Sequence, residues 1–117
     1  MKTLEKSKTR ILVVDDEENT RKSLTAFLKM RGYESEAAAS GEEALMNLEG
    51  GGFHIVLTDL RMKKMDGVQL TEKTKAMDPS IEVIIMTAYG TVKNAVDAMK
   101  KGAFDYLMKP LDHDELL

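Results

Sequence analysis

Apolar residues in this chain alternate between short consecutive runs and stripes at helical spacing. The runs are Ile11-Leu12-Val13-Val14, Ile55-Val56-Leu57-Thr58, Val83-Ile84-Ile85-Met86 and Phe104-Asp105-Tyr106-Leu107-Met108. Runs of this kind suit strands covered on both faces, as in a parallel sheet. Residues Tyr33 to Ala39 are extended in pattern but only weakly apolar, which predicts an outer strand. Between the runs, Glu18 to Met30 is rich in helix formers; it places Leu24, Phe27 and Leu28 on one face and is closed by Gly32. Ser40-Gly41-Glu42-Glu43 has the serine-then-acid spacing of a capping box, and Ala44, Leu45 and Leu48 supply the buried stripe behind it. A short helix from Gly67 to about Ala76 ends at Asp78-Pro79. Thr91 to Lys101 is the clearest helix, with Val92, Ala95, Val96 and Met99 predicted as its buried stripe and Gly102 as its C-cap. Leu111 to Leu117 begins one more.

Five strands alternating with helices predict a right-handed, doubly wound three-layer α/β sandwich. The flavodoxin-like order 2-1-3-4-5 makes strands one and three neighbours at the switch point, and ligands of such sheets bind beyond the carboxyl ends of the strands. Four strands run out into functional side chains there: Asp15-Asp16, Asp59, Thr87 and Lys109. Gly50-Gly51-Gly52 follows a helix and carries no lysine, so it reads as a turn, not a phosphate cradle. No Gly-rich turn follows the first strand, which disfavours a flavin or dinucleotide.

At 117 residues the chain is one domain, expected over residues 10–117 after a flexible polar extension at 1–9, with its fifth helix truncated. Seventeen basic against twenty acidic residues leave a net charge of −3, which argues against direct nucleic-acid binding. The absence of cysteine excludes a disulfide framework or thiolate metal site. No apolar run reaches membrane-spanning length and no signal-peptide core is present, so a cytoplasmic location is expected. The nine methionines read mainly as core filler, and His54 and His113 as structural or solvated.

Three carboxylates, a hydroxyl and an ammonium at one rim make a site for a hard cation plus a phosphate. Magnesium binds through one or two carboxylates, waters and a substrate phosphate; Asp16 and Asp59 supply that partial shell, with Asp15 joining directly or through a water. Clustered carboxylates repel one another, and a divalent cation relieves that cost. Asp59 is central among them and can act as the nucleophile that forms an acyl phosphate. Phosphoryl transfer then asks for charge neutralisation on the peripheral oxygens, by Mg2+, by the Lys109 ammonium and by the Thr87 hydroxyl.

Val14-Asp15-Asp16-Glu17, Leu57-Thr58-Asp59-Leu60-Arg61-Met62, Met65-Asp66-Gly67, Met86-Thr87-Ala88 and Lys109-Pro110 together carry a resemblance. From about Arg10 onward the chain resembles the receiver domains of bacterial two-component response regulators. Thr87 to Thr91 and Gly102 to Leu107 further resemble the nitrogen-regulator class of enhancer-binding activators. The resemblance implies that Asp59 takes a phosphoryl group from a sensor histidine kinase, by self-catalysed transfer and hydrolysis only. It implies Mg2+ on Asp15, Asp16, Asp59 and the Arg61 carbonyl, phosphate contacts from Thr87 and Lys109, and a cis Lys109-Pro110 bond. Movement of Thr87 would make room for Tyr106 to turn inward. The fourth helix, fifth strand and fifth helix would form a homodimer face, and a C-terminal output domain, by resemblance an ATPase with a DNA-binding domain, would control transcription.

Arg61 and Tyr89 each lie two residues beyond a site residue, and either gate water attack or are simply exposed. The family usually has proline where this chain has Lys63, so the loop Lys63-Lys64-Met65 is expected to be more mobile. A Mg2+-dependent phosphatase or mutase with an aspartyl-phosphate intermediate would show Asp-x-Asp-x-Thr, but Arg61 holds the place of the second Asp and no cap insertion is present. A degenerate receiver would lack an acid, the threonine or the lysine, and none is missing.

Overall fold

The computed structural model describes residues 9–87 and 92–108. Lys109, Pro110, Tyr89, His113, the start of a fifth helix and residues 1–8 of the predicted extension lie outside the described residues. The last residue of that extension, Thr9, is buried and its carbonyl accepts the Glu34 N–H at 3.1 Å, so the ladder starts one residue before Arg10.

The elements run β1 (Arg10–Val14), α1 (Glu18–Met30), β2 (Glu34–Ala38), α2 (Gly41–Glu49), β3 (Ile55–Asp59), α3 (Gly67–Met77), β4 (Glu82–Thr87), α4 (Val92–Lys100) and β5 (Asp105–Met108). All four strand pairings are parallel, and the sheet order is β2-β1-β3-β4-β5, as the alternation predicts. Successive side chains of a strand point to opposite faces. Leu12, Val14, Val56, Val83 and Ile85 therefore pack on one side against Ala44 and Leu48 of α2, Leu70 of α3 and Ala98 of α4. Ile11, Val13, Leu57 and Met86 pack on the other against Leu24 and Leu28 of α1. This two-sided cover is why β1, β3 and β4 read as unbroken apolar runs. Each fully buried leucine, isoleucine or valine contributes about 1.5–3 kcal/mol relative to exposure. Among the described residues no helix is long and apolar enough to cross a membrane.

Both α1 and α4 end in a Schellman turn. Gly32 and Gly102 adopt φ of 94° and 103°. Tyr33 N–H reaches the Leu28 carbonyl and Ala103 N–H the Ala98 carbonyl, both at 3.0 Å. At the start of α2 the Ser40 hydroxyl accepts the Glu43 N–H at 3.1 Å. The Glu43 carboxylate reaches one residue further back than a capping box requires, to the Ala39 N–H at 2.8 Å.

Two sequence expectations are corrected. In α4 the predicted buried stripe overhangs: Val96 is 44% and Met99 48% exposed, and Ala98 is buried instead. The helix sits over the sheet margin, between α3 and the short β5, and among the described side chains the small Ala98 is the one fully buried, while the side chain of the predicted Val92 lies outside those described. Periodicity locates the apolar side of a helix, but not the line of it that touches the sheet. The last run likewise reads as covered on both faces; β5 takes the edge place that the order 2-1-3-4-5 gives it, but the first residues of the run are exposed. Phe104 precedes the strand and is 62% exposed, and Asp105 is exposed.

β2 is the other edge. Glu34 and Glu36 are exposed there, and Arg10 of β1 pairs with both, lying 3.7 Å from Glu34 and hydrogen-bonding Glu36. The Arg10 guanidinium also lies 4.3 Å from the centre of the Phe53 ring. His54 is structural as expected: its Nδ1 accepts the Arg10 N–H at 3.0 Å, and its own N–H returns to the Arg10 carbonyl at 3.0 Å.

Candidate functional site

The registers Val14↔Thr58, Asp59↔Met86 and Thr87↔Met108 finish β1, β3, β4 and β5 almost level. Asp15 therefore follows β1 at the height of Asp59, and Thr87 stands one residue beyond Asp59's partner on β4. Carboxylate oxygens of Asp15, Asp16 and Asp59 all lie within 4.8 Å of one another. Asp15 is buried, Asp59 is 9% exposed and Asp16 is open to solvent. An all-oxygen set of three acids, part buried and part accessible, fits a hard divalent cation that keeps some of its waters.

Several contacts hold Asp15. Its N–H donates to the Ala38 carbonyl at 3.2 Å, continuing the β1–β2 ladder. Its Oδ1 accepts the Glu17 N–H at 2.9 Å, a turn that lets an aspartate bond the backbone two residues on. Its carbonyl accepts Nη1 of Arg21 at 2.8 Å. Asp59 is fixed through its backbone: its carbonyl accepts the Thr58 hydroxyl at 3.0 Å, and the next N–H, of Leu60, donates to Met86 at 2.9 Å.

The loop after Asp59 closes back on the strand. Gly67 N–H donates to the Leu60 carbonyl at 2.8 Å, seating the first turn of α3 against the end of β3. A Cβ at Gly67 would lie 2.6 Å from the Asp59 carbonyl oxygen, so this approach requires glycine. Asp66 and Gln69 form a reciprocal capping box at the same helix start. Within the loop, Lys64 has φ 68°, and Met65 N–H bonds the Lys63 carbonyl at 2.9 Å, a γ-turn of the uncommon positive-φ kind. Met65 then packs against the core.

Residues 11–117 match the family described as response regulator receiver domain. The chain belongs to that family. It is 48% identical over 106 residues to transcriptional regulatory protein ZraR of Escherichia coli K12, an alignment covering 91% of this chain and 24% of that protein. The chain thus spans about a quarter of the length of the curated relative it matches. The crystal structure of a response regulator receiver domain protein from Clostridium thermocellum superposes with a TM-score of 0.88 at 35% identity, covering 92% of this chain and 87% of that one. A chain of the CheX-CheY-BeF3-Mg2+ complex from Borrelia burgdorferi matches with a TM-score of 0.87 at 32% identity, covering 92% of this chain and 83% of that one.

In this receiver domain the predicted residues Asp15, Asp16 and Asp59 meet, and Thr87 is fully buried on the same rim. Arg61 follows two residues after Asp59 with its side chain exposed, and Tyr106, in register with Ile85, is half-buried against the core. Lys109 follows Met108 directly in sequence, outside the described residues. Sequence reasoning missed Arg21, Thr58 and the close approach of Gly67. Arg21 did leave a signal: a cation in the first turn of a helix works against the helix dipole and so points to another task.

Proposed function

We propose that Asp59 is the phospho-acceptor of a signalling switch, charged by a sensor histidine kinase. The observation that carries the reading is the convergence of Asp15, Asp16 and Asp59 to within 4.8 Å, with Thr87 buried on the same rim. An Asp59 carboxylate oxygen attacks phosphorus, the P–N bond to the kinase histidine breaks, and its electron pair stays on the imidazole. The product is an acyl phosphate, and later attack by water on phosphorus returns the carboxylate and inorganic phosphate. Asp15, Asp16, Asp59 and the Arg61 carbonyl would hold Mg2+, which when bound neutralises charge on the phosphoryl oxygens. Thr87 donates its hydroxyl to a second oxygen, and Lys109 brings its ammonium to a third.

The new group adds nearly two negative charges and strong acceptor oxygens, and biases an existing two-state equilibrium. Thr87 drawn toward it leaves room into which the Tyr106 ring turns, changing the surface of α4, β5 and the segment that follows. We assign that surface to homodimer formation, residues 10–117 to the receiver domain and the location to the cytoplasm. A C-terminal output domain acting on transcription is assigned from relatives whose names describe transcriptional regulators. The Mg2+ assignment draws support from the similar structure described as a CheX-CheY-BeF3-Mg2+ complex.

Incubation with acetyl phosphate and Mg2+ tests this by intact-mass measurement. The parent should gain one phosphate and Asp59→Asn none. Equal labelling of the Asn variant would assign the chemistry to another residue.

A further inference from the structure

We infer that Arg21 is a positioning residue for the divalent cation: from the first turn of α1 it pins the peptide that joins the two aspartates of the β1 end. Nη1 of Arg21 lies 2.8 Å from the Asp15 carbonyl oxygen, and the side chain is half-buried. That carbonyl belongs to the peptide on which Asp16 hangs. Asp15 is independently held by its N–H on Ala38 and by the Glu17 N–H on its Oδ1. Asp16 is exposed, so its place relative to Asp15 and Asp59 depends on the orientation of this peptide plane. The guanidinium is permanently charged and its donor geometry is rigid, so it makes a strong, directional bond to a carbonyl.

The same guanidinium has a second, opposing action. A fixed positive charge beside the cluster repels an arriving cation. The two actions differ in sign and in salt dependence, which makes them separable. Positioning dominates, because the hydrogen bond is direct while the charges interact across a solvent-exposed rim where screening is strong.

This inference rests on the metal-binding part of the proposed function. The test is calorimetric titration of Mg2+ into the 117-residue chain, parent against Arg21→Met and Arg21→Lys, at about 0.1 M and 1 M salt. Arg21→Met, which keeps the stem and loses the donors, should weaken Mg2+ binding about tenfold, the loss typical when a group orienting a metal ligand is removed. The loss should be similar at both salt concentrations, and Arg21→Lys, with one donor in reach, should recover part of it. Should Arg21→Met fail to fold, Arg21→Leu, equally without donors, takes its place. Tighter or unchanged binding in the neutral variant, or a difference that vanishes in high salt, overturns the inference and leaves the metal site standing. Absence of Mg2+ binding by the parent overturns both.

Discussion

Replacing Gly67 with alanine tests how tightly α3 is seated on the strand that presents Asp59. The added Cβ would lie 2.6 Å from the Asp59 carbonyl oxygen, 3.0 Å from Leu60 Cα and 3.3 Å from the Asp59 carbonyl carbon. Ordinary contact begins near 3.4 Å, so the helix start or the strand end must shift by up to the 0.8 Å between 2.6 and 3.4 Å. Every obstructing atom is backbone, and that backbone is tied by Leu60 N–H to Met86 and by Gly67 N–H to Leu60. Overpacking of this kind costs about 1–3 kcal/mol. Alanine regains up to about 1 kcal/mol over glycine as a helix residue. The net loss, up to about 3 kcal/mol and near 1–2 kcal/mol at mid-range, lowers Tm by roughly 4–10 °C at that mid-range in a domain of this size, read by circular dichroism. Gly51→Ala is the control. Its φ of +80° strains an alanine by about 1 kcal/mol, but its Cβ would meet nothing within 4 Å. Both variants should lose stability, and Gly67→Ala alone should slow acetyl-phosphate labelling of Asp59. A Gly67→Ala protein as stable as the parent, labelled at the parental rate, would refute the seating argument.

Magnesium should raise Tm of the parent, by the equivalent of about 1.4 kcal/mol at ten times its Kd, and a chelator should reverse this. Asp15→Asn should abolish that response, because one of the three carboxylates that would hold the ion is gone. Lys64→Gly relieves a positive φ and should stabilise by up to about 1 kcal/mol; a fall in Tm would count against the γ-turn. Glu72 is held below the usual carboxylate range by its hydrogen bond from Lys101 and then by that lysine's charge, and Lys101 is raised by the same pairing. The pair therefore supports the fold between about pH 4.5 and 10.5, fading as pH falls through the depressed Glu72 value or climbs through the raised Lys101 value. Glu72→Gln should narrow the stability gap between neutral and acid pH in urea titrations, and an unchanged gap would show that the pair contributes nothing.

The parts of this fold legible in the chain are those whose surroundings follow from the pattern alone. β1, β3 and β4 are covered on both faces, so their apolar runs report burial directly. The ends of these strands fall at the switch point, which is why Asp15, Asp16, Asp59 and Thr87 are legible as a group. Phe104, Val96 and Met99 mislead because their exposure is set by how far the neighbouring elements extend, not by their own spacing. Arg21, Thr58 and Gly67 stay hidden for a different reason: each acts on a main-chain carbonyl, and carbonyls leave no letter in a sequence. Lys64 is hidden because nothing but its φ distinguishes it from the lysine beside it.

The outer rim of β2 decides how the sheet treats a copy of itself. An antiparallel two-fold pairing of this strand centred on Ser35 would set Glu34 of each molecule opposite Glu36 of the other. Each copy brings one guanidinium against those two acids, so the seam would carry surplus negative charge from both sides. Like charges directly across a ladder are destabilising. This margin of the molecule thus discourages ribbon-like self-association through its open strand.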